Sequence, residues 1–243
     1  MHFSSFWVIA IEHSLAFLLV VVSPFVSYFF ERPYLRGISS SAQKVRFYRW
    51  VLLLQWPLAV MAWCLAGASK LYFPPAQAAG LPWQVRILLG ALLAAFFVVA
   101  LMPFLQSLRG ERYRAAYARA YRKSLDDMSR LLPETREERW WFAGISISAG
   151  VCEEVLCRGF MFRYLDGIAL HLGLGWTVLL GAAIFGINHI YQGNAGVIKT
   201  GLAGLAFGGL FVVTGSLLLP MLVHAAVDLQ AVFVMRGGND GSA

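Results

Sequence analysis

The chain has 243 residues, 59% of them hydrophobic and 14% charged, with a mean hydropathy of +0.65 and a net charge of +7. A soluble domain carries roughly a quarter charged residues, so this composition excludes an ordinary soluble protein and points to a single polytopic membrane domain over residues 1–243. The basic residues fall between apolar stretches, where membrane orientation accounts for them, so nucleic acid is not an expected partner.

The N-terminal run "MHFSSFWVIAIEHSLAFLLVVVSPFVSYFF" has no Lys or Arg ahead of its apolar core and no small-residue cleavage site. It reads as a retained first span rather than a signal peptide. Crossing the hydrocarbon core takes about 20 apolar residues. Seven stretches qualify or nearly so: about 6–30, 50–69, 86–108, 141–162, 174–192, 197–213 and 216–235. The first three make an N-terminal block, 1–108, and the last four a C-terminal block, 141–235. The fold class expected is therefore all-α, a transmembrane helix bundle of about seven spans.

The segments between the spans set the orientation. The loop at 31–49 holds Arg32, Arg36, Lys44, Arg46 and Arg49 against one acid, and the connector at 109–140 holds nine Lys or Arg against six acids. The loop at 70–85 carries Lys70 as its basic residue before Arg86. The excess of Lys and Arg on cytoplasmic loops puts 31–49 and 109–140 inside, the N-terminus outside and the C-terminal "RGGNDGSA" inside. Within the connector, Tyr113, Tyr117, Tyr121, Leu125, Met128 and Leu132 recur at helical spacing among basic residues. That pattern fits an interfacial helix with its basic face toward anionic lipid, or equally a solvated connector. Gly204 and Gly208 have GxxxG spacing, which reads as close helix packing. Cys64, Cys152 and Cys157 lie in apolar stretches as small buried hydrophobes, and no CxxC marks a metal or redox site.

Six ionisable residues stand inside late spans: Glu153, Glu154 and Arg158 in the fourth, His189 in the fifth, His224 and Asp228 in the seventh. Each costs about 2.5–3.5 kcal/mol at the bilayer centre on insertion scales, so they must meet one another or line a wet cavity. Glu154 and Arg158 are one turn apart and can pair, as can His224 and Asp228. Glu153 is rotated about 100° from Glu154 and can face a neighbouring helix. At 1.5 Å per residue, Glu153 and His224 sit roughly 18 Å from the cytoplasmic ends of their spans, and His189 roughly 8–15 Å, so one inward-opening polar cavity can hold all three. A carboxylate beside a histidine can take a proton from water, and a second histidine with a short polar partner can stabilise an oxyanion. Glu153, His189 and His224 are also a three-ligand zinc set with an open fourth position, although HExxH is absent.

These residues also carry a resemblance. "EEVLCR" matches EExxxR, "FGINH" matches FxxxH with Phe185 and His189, and "HAAVD" matches HxxxN/D. In this order, over 141–235, they resemble the CPBP family of intramembrane proteases, which includes the Rce1-type CAAX-prenyl endopeptidases and bacterial bacteriocin-processing proteins. The resemblance implies Glu153 as the base that activates water, with His189 holding and polarising it. It implies His224 and Asp228 at the oxyanion, and Glu154 and Arg158 as orienting groups. On that mechanism no cofactor is required, and zinc stays an alternative. The family's last motif often ends in Asn, and an ionised Asp228 cannot donate a hydrogen bond as Asn does.

The expected function is an intramembrane endopeptidase in a bacterial inner membrane. Its partners are the lipid bilayer and a protein or peptide substrate, one that is lipid-modified or carries a C-terminal sorting signal. Competing readings are a proton-coupled transporter, which buried Glu, His and Asp also serve, and a non-catalytic immunity or binding protein of the same fold. Glu12 and His13 lie near the outer end of the first span and read as interfacial or helix-pairing groups.

Overall fold

The computed structural model describes residues 2–67 and 80–235. The Lys70 loop and the C-terminal segment from Arg236, both used above for orientation, lie outside the described residues. Every regular element among the described residues is helical.

α1 opens at His2–Phe17 and runs on through π turns at Leu18–Val22 and Ser27–Glu31 to Arg32–Arg36. Both π turns sit just ahead of a proline, Pro24 and Pro33. In a regular α-helix each ring would collide with the carbonyl four residues back, and the wider π turn removes that collision. Pro24 has no N–H to give, and the carbonyl of Leu19 accepts instead from Asn188 Nδ2 at 3.0 Å. The remaining helices are α2 (Ser41–Ala66), α3 (Trp83–Ser107), α4 (Glu111–Leu125), α5 (Arg136–Glu154), α6 (Leu174–Asn188), α7 (Gly193–Thr214) and α8 (Leu218–Val234). α5 continues through π turns at Val155–Met161 and Tyr164–Ala169.

Two starts are fixed by capping boxes. Ser40 with Gln43 opens α2, and Thr135 with Glu138 opens α5. Each pair satisfies N–H groups that a helix start leaves without partners.

Among the described residues four helices are long and apolar enough to cross a membrane: Phe6–Arg36, Ser41–Leu65, Trp83–Ser107 and Ile190–Thr214. Leu174–Asn188 and Leu218–Val234 are apolar but shorter. Their outward faces carry Leu53, Leu54, Ile87, Leu88, Val99 and Leu202, all exposed, as lipid contact requires. The count of seven depends on adding α5, α6 and α8 to these four.

The packing places α5 between α2 and α8, and α7 against α6 and α3. Small residues bring these helices close. A Cβ on Gly150 would lie 2.8 Å from the nitrogen of Ala225 and from the carbonyl oxygen of Met221, so α5 meets α8 backbone to backbone. A Cβ on Gly186 would lie 2.7 Å from the carbonyl oxygen of Val197, and one on Gly204 3.1 Å from Cα of Ala182. Of the glycine pair read from the sequence, Gly204 thus serves the α6–α7 crossing, and Gly208 meets Phe162 and Val178.

Both basic segments gather at one end of the bundle. Leu35, Ile38 and Met128 cluster there with Phe47, Leu125, Leu131 and Tyr191. Lys44 Nζ donates to the carbonyl of Leu132 at 3.2 Å and pairs with Glu138 at 3.3 Å and Glu134 at 3.4 Å. Arg122 holds Glu134 from the other side at 2.9 Å. The helical run expected at 113–132 breaks into α4 and a 3₁₀ turn at Asp126–Leu131. Tyr117, Ala118 and Tyr121 pack on Leu132, Ala231, Val234 and Met235, so protein covers the apolar face of α4. At the opposite end Arg163 donates to the buried Glu12, and His13 Nδ1 meets the Tyr164 hydroxyl at 2.7 Å. Glu12 and His13 therefore join α1 to the end of α5, the second of the two readings, interfacial or helix-pairing, that the sequence left open.

Two outcomes test this packing. Gly150→Ala should lower stability by about 1–3 kcal/mol, the usual cost of overpacking. Gly144→Ala, whose Cβ would meet only a Leu52 methyl at 3.9 Å, should be neutral or stabilising. Thermal melting in detergent separates them. The second concerns pH. The Arg122 hydrogen bond, helped by Lys44, holds the Glu134 carboxyl below its usual value. Burial would raise Glu138, but hydrogen bonds from Ser41 and the Glu134 N–H, with Lys44, outweigh it and bring the carboxyl down. Carboxyls depressed by folding stabilise the protein above their ordinary value of 4.5 and lose that contribution as pH falls through the depressed values. The melting point should fall below pH 4.5, less steeply in Glu138→Gln; equal slopes would contradict the clamp.

Candidate active site

α5, α6 and α8 bring the six ionisable residues of the apolar spans into one cluster. Its innermost pair is Glu154 and Arg158, one turn apart and both buried. Arg158 Nη1 donates to Glu154 Oε1 at 2.9 Å, and Nη2 donates to the carbonyl of Gly204 at 3.0 Å. The guanidinium lies over the ring of Phe185 at 4.5 Å and near that of Phe207 at 5.5 Å. A charge so placed has exchanged water for hydrogen bonds and aromatic faces. The pair spans the point where α5 loosens into the π turn Val155–Met161, a distortion often found at functional sites.

Glu154 then fixes His224. His224 Nδ1 lies 2.9 Å from Glu154 Oε1. That oxygen already accepts from Arg158, so the carboxylate is the acceptor and Nδ1 carries the proton. The ring is stacked on Phe207, with centroids 4.7 Å apart and planes at 18°. Its orientation is thus set on both edge and face, and Nε2 is left pointing away from Glu154. His189 is held by the same logic. It stands where α6 ends, and its Nδ1 lies 2.7 Å from the carbonyl oxygen of Phe185. A carbonyl can only accept, so Nδ1 is again the protonated nitrogen and Nε2 is free.

Glu153 lies between these two free nitrogens. Its Oε2 is 3.8 Å from His189 Nε2 and 4.0 Å from His224 Nε2, and it has no hydrogen-bond partner. Its Oε1 accepts from Gln55 Nε2 of α2 at 3.2 Å. Glu153 is 20% exposed, unlike its buried neighbour Glu154. Asp228 Oδ2 lies 3.7 Å from His224 Nε2 and is 38% exposed. At that distance Asp228 does not make the orienting hydrogen bond to His224, which the sequence left open; Glu154 makes it. Phe185 serves as a packing residue and carries both an aromatic face for Arg158 and a carbonyl for His189.

Several participants were missed by the sequence reading. Gln55 and Ser148 are neutral, so the cost of burying charge does not single them out; the available signal is an amide inside the second span. Phe207 and the Gly204 carbonyl had none, because aromatic and glycine residues are common in packed membrane helices. A cavity of about 270 Å³ between α1 and α2, lined by Trp7, Leu15, Leu18 and Met61, is apolar and holds none of the six site residues.

Among the described residues no three His, Cys, Asp or Glu side chains are spaced to hold a metal ion.

Residues 135–230 match the family model described as type II CAAX prenyl endopeptidase Rce1-like. No curated protein and no solved structure matches the chain. The matched segment holds all six ionisable residues and is similar to that family of endopeptidases. With its long apolar helices, the chain is an integral membrane protein.

Removing one partner of a buried ion pair costs about 3–5 kcal/mol, because the other charge is left uncompensated. Arg158→Met should lower stability by that order, and Glu154→Gln combined with Arg158→Met should recover part of it. Thermal unfolding in detergent reads both; a double variant as unstable as the sum of the singles would show that the two side chains act independently.

Proposed function

We propose that this protein is an intramembrane endopeptidase that cuts a membrane-associated protein or peptide with water activated by Glu153. The observation that carries the reading is the unpartnered Oε2 of Glu153 lying between the free Nε2 atoms of His189 and His224. One water can donate an O–H to Glu153 Oε2 and the other to His189 Nε2, leaving its lone pairs toward a substrate carbonyl. The water oxygen attacks the carbonyl carbon as Glu153 takes its proton. The carbonyl oxygen becomes an oxyanion. Collapse breaks the C–N bond, and Glu153 returns the proton to the leaving amine.

His224 is suited to the oxyanion. With both nitrogens protonated it donates from Nδ1 to Glu154 and from Nε2 to the developing charge. Asp228, close to Nε2 but not bonded to it, favours that charged ring and makes no direct contact with the oxyanion. Arg158 keeps Glu154 in place. The reaction also requires a hydrated pocket around Glu153. We place its mouth at the end where the basic segments gather, facing the cytoplasm of a bacterial inner membrane, with seven spans, the N-terminus outside and the C-terminus inside. The substrate class is a tail that is lipid-modified or carries a C-terminal sorting signal.

Incubating the detergent-purified protein with a lipid-modified tail peptide should give cleavage. Glu153→Gln and His189→Ala should each lose at least about a hundredfold in kcat/KM, within the range expected for general acid–base catalysis. Asp228→Asn should retain more activity than His224→Ala. Cleavage kept by both Glu153→Gln and His189→Ala overturns the assigned roles. Activity abolished by a chelator and restored by zinc would overturn the metal-free scheme.

A further inference from the structure

The site is completed from outside the Rce1-like segment. Gln55 lies on α2, eighty residues before that segment begins, and its Nε2 donates to Glu153 Oε1 at 3.2 Å. The other end of the same amide is also held: Ser148 Oγ donates to Gln55 Oε1 at 3.2 Å. Ser148 is buried one turn and a half before Glu153 on α5. The chain of donors therefore runs in one direction, from the Ser148 hydroxyl to the Gln55 carbonyl and from the Gln55 amide to the Glu153 carboxylate. An amide held at its oxygen cannot flip, so it must present N–H to Glu153.

We propose that Gln55 is a positioning residue that selects which oxygen of Glu153 faces the reaction. By occupying Oε1 it stops the carboxylate from rotating, and it leaves Oε2 as the oxygen directed at His189 and His224. Ser148 acts one step further back, by fixing the amide. Gln55 touches neither the water nor the substrate. The inference rests on Glu153 being the base, and it adds that the N-terminal helices, which the family match does not cover, contribute to the chemistry.

The test uses the full chain in detergent, with Gln55→Leu and Ser148→Ala. A hydrogen bond to a charged group supports roughly a ten- to hundredfold effect. Gln55→Leu should lose that much in kcat with KM little changed, and Ser148→Ala less. In a Glu153→Asp background, where the shortened carboxylate no longer reaches the amide, Gln55→Leu should have little further effect. A helix-packing role alone would lower the melting point without this coupling. The second readout needs no turnover. The carboxylate stretches of Glu153, identified in infrared spectra by their loss in Glu153→Gln, should change their separation in Gln55→Leu, because one oxygen has lost its donor. Unchanged stretches in a folded Gln55→Leu protein overturn the proposal; if that variant does not fold, unchanged stretches in Ser148→Ala do so. A wild-type protein that cleaves no tail peptide would defeat the protease reading while leaving the infrared result to judge Gln55.

Discussion

A charged guanidinium buried among apolar helices is the constraint on which the rest of this site depends. Arg158 cannot reach water, so every one of its neighbours has to answer its charge. Glu154 supplies the counter-ion, the Gly204 carbonyl takes a further N–H, and Phe185 and Phe207 offer their faces. Because Glu154 is committed to Arg158, it is fixed in direction. Because it is fixed, His224 Nδ1 has one acceptor and one orientation. Electrostatic necessity in an apolar medium thus becomes geometric order two residues away.

That order requires the helices to approach more closely than ordinary side chains permit. The Gly150 contact presses α5 onto α8, one turn from Glu154 on one helix and one residue from His224 on the other. A Cβ there would push the helices apart and lengthen the 2.9 Å contact between Glu154 and His224. Gly186 and Gly204 do the same between α6 and α7, which sets His189 at the end of α6 and brings the Gly204 carbonyl to Arg158. Small residues here are the means by which long polar side chains reach across helix boundaries.

The sequence made the polar cluster legible because ionisable residues inside apolar stretches have few alternatives to meeting one another. Glu154 with Arg158 followed from spacing alone, and the gathering of Glu153, His189 and His224 followed from similar depths. What spacing could not reach was the choice among acceptors. His224 and Asp228 share a helix face, yet His224 bonds to Glu154 from another helix, since i,i+4 spacing says who can meet and crossing geometry decides who does. The π turns of α1 were marked by Pro24 and Pro33, although the periodicity of an apolar run hides a change of helix type. The connector at 109–140 is ambiguous in a different way. Its tyrosine stripe has the pattern of an interfacial helix, and the same stripe packs onto Ala231 and Val234, because amphipathic periodicity does not distinguish a lipid surface from a protein one.

The N-terminal helices matched nothing in the sequence beyond generic membrane spans, yet they bound the site on two sides. α1 secures the end of α6 through Asn188, whose amide is taken by the carbonyl of Leu19, so the position of His189 depends on a distortion that Pro24 creates. α2 reaches Glu153 through Gln55. Both contributions come from neutral amides, and neither leaves a charged motif by which a family could be recognised. Charged residues in a membrane are constrained by their own cost, whereas the neutral groups that aim them are constrained only by the particular way one bundle packs. Such groups should therefore differ between proteins that share the same ionisable cluster, which makes the first two helices the natural place for each protein of this kind to adjust a common site.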